Sequence, residues 1–259
     1  MLNRLHEIFL FFMLLSCMAV HADSVGASLQ LEGAMSVFRA TQYLVHEQFP
    51  DGSWHHDPAA TSLAACALLN AKATEPPAVV PLALAFLKQH LRPSDDWRRT
   101  IDIRALIRAK QGDFQPPSVM DCPPAARIWL LDSYAIAGRM QSLPKFQDSF
   151  YQGLAPYQKL AAKLATATDG VESFSALRQE VRLADWQTAP IEQLYWSARA
   201  FFAYDTAAAS VQDNWQHDIL SALLARQKGD GAWHQPDDSP EATIRQTALA
   251  IETIILCLQ

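Results

Sequence analysis

Apolar positions recur at helical spacing along most of the chain. Near the start, Leu29, Leu31, Met35, Phe38, Tyr43 and Leu44 fall on the rhythm of a helix, and Ile219, Leu220, Leu223 and Leu224 do so near the end. Residues 63–69 and 249–258 are Ala-rich and apolar. Between them, residues 79–91, 101–109, 125–137, 146–167, 171–184, 191–207 and 211–226 read as further helices. No segment alternates apolar and polar residues strictly enough to compete as a strand. The pattern predicts an all-α chain of about ten helices, joined by short to medium connections that suit antiparallel hairpins stacked side by side. The one long predicted loop covers residues 111–124 and contains four prolines.

Two of the turns match each other. Residues 48–55 (Gln-Phe-Pro-Asp-Gly-Ser-Trp-His) align without gaps to residues 227–234 (Gln-Lys-Gly-Asp-Gly-Ala-Trp-His), with five of eight positions identical. After spacers of unequal length, Thr61-Ser62-Leu63-Ala64 matches Thr247-Ala248-Leu249-Ala250. Each copy reads as helix, turn, helix. Asp-Gly supplies the turn, because Gly tolerates positive φ and Asp caps locally. Gln48, Asp51, Gly52 and Trp54, with Gln227, Asp230, Gly231 and Trp233, are therefore read as scaffold: glutamine for orphan backbone groups and Trp for packing. Degenerate versions of the turn are expected at Asp96-Trp97, Gln111-Gly112-Asp113-Phe114 and Asp185-Trp186.

Gln-x-x-Asp-Gly-x-Trp between two helices resembles the QW-type repeat of squalene–hopene cyclases, related terpenoid cyclases and protein prenyltransferase β subunits. The resemblance is specific at residues 44–69 and 223–257. It implies an α/α toroid of stacked antiparallel helical hairpins, complete or partial, around a central cavity. It does not carry the cyclase chemistry across. The Asp-x-Asp-Asp acid motif is missing, because Pro93 and Gln235 stand where Asp95-Asp96 and Asp237-Asp238 would need their first Asp. Asp121-Cys122 does not match the zinc-holding Asp-x-Cys of prenyltransferases, and no Gly-Cys-Gly-Glu-Gln thioester segment occurs. Fold alone does not settle function.

The N-terminus changes where the protein is expected to work. Arg4 precedes a run from Ile8 to Val20 that is apolar apart from Ser16 and Cys17, and Val20-His21-Ala22 suits cleavage before Asp23. At about 13 residues the run is short of the roughly 20 a membrane span needs. Residues 1–22 are read as a signal peptide and residues 23–259 as one toroid-like domain, exported to the periplasm or outside the cell. Leu14-Leu15-Ser16-Cys17 also resembles a lipoprotein box, so the membrane enters only through an uncleaved signal or lipidation of Cys17. A net charge of −6 without a basic run excludes a nucleic-acid footprint. Of Cys66, Cys122 and Cys257, one pair can bridge in an oxidising compartment; the alternative is three buried free thiols.

Candidate chemistry is sparse. His55, His56 and Asp57 follow the first Trp; His234, Asp237, Asp238 and Glu241 follow the second. A closed ring brings these two groups together on one rim, as a metal or acid–base site. Otherwise they are a solvated loop whose acids cap the next helix. Asp95, Asp96, Arg98, Arg99, Asp102 and Arg104 read as capping and surface pairing, and Tyr195, Arg199 and Phe202 as core and flank. Nine glycines leave little for a phosphate loop, a Rossmann turn or a hydrolase elbow, and no cofactor or metal is assigned. The expected interior is apolar or aromatic and suits an isoprenoid or lipid ligand without catalysis. The alternatives are a scaffold that binds a protein partner and a secreted enzyme acting on carbohydrate through Asp57, Asp237 and Glu241. A cyclase-like lyase or isomerase is the other enzyme class the resemblance allows.

Overall fold

The computed structural model describes residues 25–72, 78–93, 96–111, 122–136, 151–166, 175–182, 185–208 and 214–259. The expected signal peptide with Cys17, and the turn at residues 112–114, lie outside them. The helices are α1 (Ala27–His46), α2 (Pro58–Asn70), α3 (Val79–His90), α4 (Arg99–Asp102), α5 (Arg104–Arg108), α6 (Pro124–Ile136), α7 (Pro156–Thr166), α8 (Ser175–Arg182), α9 (Ile191–Ala208), α10 (Trp215–Arg226) and α11 (Pro240–Cys257). The described residues contain no strand. No helix among them is long and apolar enough to cross a membrane.

Helix α2 is buried on every side from Ala59 to Leu68, as a helix apolar all round must be. Helix α11 is nearly as deep. Both start alike: Asp57 and Ser239 accept from the backbone N–H of Ala60 and Ala242, and Pro58 and Pro240 occupy the first helical position, where a missing N–H costs nothing. The deep helices contact one another in sequence. Helix α2 packs on α11, α11 on α9, α9 on α7, α7 on α6, α6 on α4 and α5, and these on α2 again. Around them, α1 covers α2, α10 and α11, while α3 covers α2 and α5.

The two matching turns are equivalent corners. Trp54 and Trp233 are fully buried, and their indole Nε1 groups donate to Leu44 O (2.7 Å) and Leu223 O (2.8 Å), each ten residues back. Their backbone N–H groups donate to Thr61 and Thr247 Oγ1. Gln48 Nε2 donates to Gly52 O and Val79 O, and Gln227 Nε2 to Gly231 O and Ser36 O. Gly52 (φ 87°) lies against Leu82 O, and Gly231 (φ 95°) against Arg39 O. The docking sites share one register, Leu82 lying three positions after Val79 and Arg39 three positions after Ser36. The first corner thus seats on α3, the outer helix that follows it. The second seats on α1.

The weaker turns share part of this design. Asp51, Asp96, Asp185 and Asp230 each accept from the N–H two residues on, at Ser53, Arg98, Gln187 and Ala232. Asp closes such a turn by mimicking a backbone carbonyl.

Two expectations need correction in detail. Residues 101–109 are not one helix; the chain breaks at Ile103 between α4 and α5. Ala105 N–H leaves the helical ladder to donate to Ser62 Oγ of α2 (3.1 Å). Helix α7 starts at Pro156, because proline favours the first turn and residues 151–155 form a turn and an irregular approach.

Candidate functional site

The starts of the deep helices and the corners that precede them surround a cleft of about 590 Å³. Its buried lining comes from Leu63 on α2, Trp129 on α6, Ile191 on α9 and Leu249 on α11, joined by half-buried Trp97 and Ile101. Polar groups sit towards solvent: Glu192, Gln235, Gln246, Arg226 and Arg245. The volume falls within the range of small-molecule sites, about 300–1,000 Å³.

Trp129 separates this cleft from a charged interior. Its ring stacks on Tyr195 with centroids 6.0 Å apart and meets Trp196 edge-on at 4.8 Å. The Arg104 guanidinium lies 5.6 Å from the Trp129 centroid, within cation–π range. Arg104 is fully buried. It donates to Asp132 Oδ2 (2.6 Å), Tyr195 Oη (2.5 Å) and Glu252 Oε2 (3.1 Å). Tyr195 Oη also donates to Glu252 Oε2 (3.2 Å), and Arg199 pairs with Asp132 Oδ1. Two cations therefore face two carboxylates, joining α5, α6, α9 and α11. Burial alone would raise the Asp132 carboxyl, but Arg104 and Arg199 outweigh it and hold it below its ordinary value. Burial pushes the Tyr195 hydroxyl well up. Arg104 Nη1 and Glu252 Oε1 have no hydrogen-bond partner. The middle of the helix assembly is thus ionic, not apolar or aromatic throughout as the sequence suggests.

The rim residues singled out in the sequence come together only in part. His55, His56, Asp57 and Glu241 line one shallow recess of about 390 Å³, with Arg92 and Arg245. Asp57 is committed there: Oδ1 caps α2 through Ala60 N–H (2.6 Å), and Oδ2 accepts from Arg245 of α11 (2.8 Å). Arg92 lies 3.7 Å from the same carboxylate and bonds buried Asp102 at 2.6 Å. Burial, offset only partly by Arg92, raises the Asp102 carboxyl to about 6. His56 pairs with Asp51 (2.8 Å). His55 and His56 hold φ of 55° and 53°, a left-handed stretch that non-glycine residues adopt at a cost. His234 lies in a different recess, and Asp237 is exposed on the loop before α11. No group of three or more His, Cys, Asp or Glu side chains among the described residues is placed to hold a metal. Cys66 and Cys257 are free thiols, all three cysteines Cys66, Cys122 and Cys257 are buried, and burial raises the Cys66 thiol to about 12.

The ionic interior escaped the sequence reading, although it left a trace. Asp132 directly follows the apolar run Ile128-Trp129-Leu130-Leu131, and Glu252 lies inside the apolar stretch Ala248-Leu249-Ala250-Ile251 to Ile254-Ile255 of α11. An acid beside an apolar run needs a buried partner, and nothing in sequence says which of many arginines supplies it. No protein-family model matches the chain, and no curated protein matches it.

Proposed function

We propose that the chain is an exported, terpenoid-cyclase-like α/α-toroid protein that binds a hydrophobic isoprenoid or lipid ligand in the Trp97–Trp129 cleft, without catalysis. The ring is supported by the closed order of contacts among the deep helices. It is supported again by the second corner, which seats on α1 as the first seats on α3. The observation that carries the ligand reading is the cleft itself, its depth formed by Leu63, Trp129, Ile191 and Leu249 at one end of the helix assembly.

Burial of about ten methylenes contributes roughly 8 kcal/mol before the costs of association, which corresponds to micromolar binding at best. The carbohydrate alternative is weaker, because Asp57 is held by a helix cap and an arginine. Titration of the purified chain with a prenyl alcohol, followed by tryptophan emission, tests the reading. Saturable binding is expected, weakened about tenfold or more by Trp129→Ala with helicity unchanged. Absence of binding by prenyl and acyl chains alike overturns it. The partner-binding alternative then takes its place, resting on the outward stripe of α1, where Leu31, Met35 and Phe38 are 66%, 52% and 57% exposed.

A further inference from the structure

Beside the apolar cleft lies a second recess of about 430 Å³ that shares Thr188, Ile191, Arg226, Gln235 and Gln246 with it. The two spaces are thus adjoining parts of one depression. Their linings differ in kind. The second recess adds Gln187, Lys228 and His234, and none of its lining side chains is a carboxylate. In a chain of net charge −6, that is a local reversal of sign.

The nearby acids are already engaged. Asp185 accepts from Gln187 N–H and Thr188 Oγ1, and Asp238 from Gln235 N–H and Gln246 Nε2. Asp230 accepts from Ala232 N–H and lies 4.0 Å from His234. Glu192 lines the cleft only, where its Oε1 accepts from Trp196 Nε1 at 3.3 Å. Arg226 is different. Its guanidinium donates to a neutral carbonyl, Ala189 O (2.6 Å), and no carboxylate among the described residues pairs with it. Burial lowers its pKa through loss of water. Lys228 is exposed, and its ammonium has no partner among the described residues. A guanidinium, an ammonium and side-chain amides around one acid-free recess are the donors that an oxyanion requires.

We propose that this recess holds the head of an anionic amphiphile, a carboxylate or phosphate on an apolar chain, with Arg226 and Lys228 as its counter-charges. The proposal rests on the reading of the cleft as the seat of the chain, and it adds the class of ligand. The apolar chain lies along Ile191, Leu249 and Trp129. The head turns towards Arg226 at the C-terminal end of α10.

Four probes with the same twelve-carbon chain test it: dodecanoate, dodecyl phosphate, dodecanol and dodecyltrimethylammonium, each titrated below its aggregation limit by calorimetry. The anions are expected to bind about tenfold or more tightly than the alcohol, since a charge-assisted bond contributes about 1.5–3 kcal/mol, and the cation most weakly. Added salt shrinks the difference. A tighter dodecyl phosphate assigns a phosphate head, and a tighter dodecanoate a carboxylate. Arg226→Gln combined with Lys228→Gln removes the preference of the anions over dodecanol. Arg226→Lys, which keeps the charge, restores part of it. Lys228→Gln alone, a change of an exposed side chain, reports the effect if Arg226→Gln unfolds the protein. Equal binding of anion and alcohol overturns the head site while the cleft reading stands. An anion preference that survives both glutamine substitutions also overturns it. Failure of all four probes overturns the cleft reading itself.

Discussion

Replacing Arg104 by methionine tests whether the ionic interior holds the helices together. Arg104 is fully buried and reaches from α5 to α6, α9 and α11, through Asp132, Tyr195 and Glu252. Methionine fills much of the volume but leaves two buried acids facing one remaining cation, Arg199. Asp132 keeps that partner. Glu252 keeps only the Tyr195 hydroxyl. Breaking a buried pair from one side costs about 3–5 kcal/mol. That is a large share of the about 5–15 kcal/mol by which domains are stable. For a domain of this size it lowers Tm by about 6–20 °C. Urea unfolding followed by circular dichroism gives the number. Removing the stranded acid as well, in R104M combined with Glu252→Met, is expected to recover at least about 1 kcal/mol, because an apolar replacement of both partners is close to neutral. Two results refute the reasoning. One is a loss under about 1 kcal/mol for R104M, the size of an exposed pair. The other is a double variant that loses the sum of the two single losses.

Three further outcomes follow from the geometry. Gly52→Ala and Gly231→Ala place a Cβ 2.4 Å from Leu82 O and 2.7 Å from Arg39 O at positive φ, so each is expected to cost about 2–5 kcal/mol in denaturant unfolding. Gly229→Ala, whose Cβ meets nothing within 4 Å, serves as the control and changes stability by less than about 0.5 kcal/mol. The carboxyl of Asp102 is raised to about 6 when folded, so the folded state binds its proton more tightly than the unfolded chain. Its contribution is therefore favourable below about pH 4 and lost as pH rises through about 6, a change of roughly 3 kcal/mol; Asp102→Asn flattens that part of the pH–stability curve, and an unchanged slope sinks the assignment. Asp132 acts in the opposite sense, stabilising above the ordinary carboxylate range and losing that contribution as pH falls through its lowered value. Asp132→Asn removes that acid-side loss, read as unfolding midpoints below about pH 4.

Sequence carried the helices and the corners well, because both rest on local chemistry. The match of residues 48–55 to 227–234 encodes a hydrogen-bond pattern contained almost wholly within each turn, and Asp96 and Asp185 repeat its first step. What each corner docks on was not legible, since Val79 and Ser36 contribute only their carbonyl oxygens, which any residue owns. The break at Ile103 was hidden for a similar reason: it depends on Ser62, 43 residues from Ala105. A charged residue in sequence reads as surface by default. That holds for Arg98 but fails for Arg104, whose partners lie 28, 91 and 148 residues away. The acid-free recess was equally invisible, because Arg226, Lys228 and Thr188 belong to stretches that only the close approach of α9, α10 and α11 brings together.

The seat of the C-terminal corner on α1 bears on biosynthesis. Helices α1 and α2 are made well before α11, yet α11 is one of the helices that shield α2. Until α11 arrives, the face of α2 that packs on it stays uncovered. Truncation after α10 removes little length but strips α2 and α1 together, so such fragments should be lost to aggregation or proteolysis instead of persisting as shortened proteins.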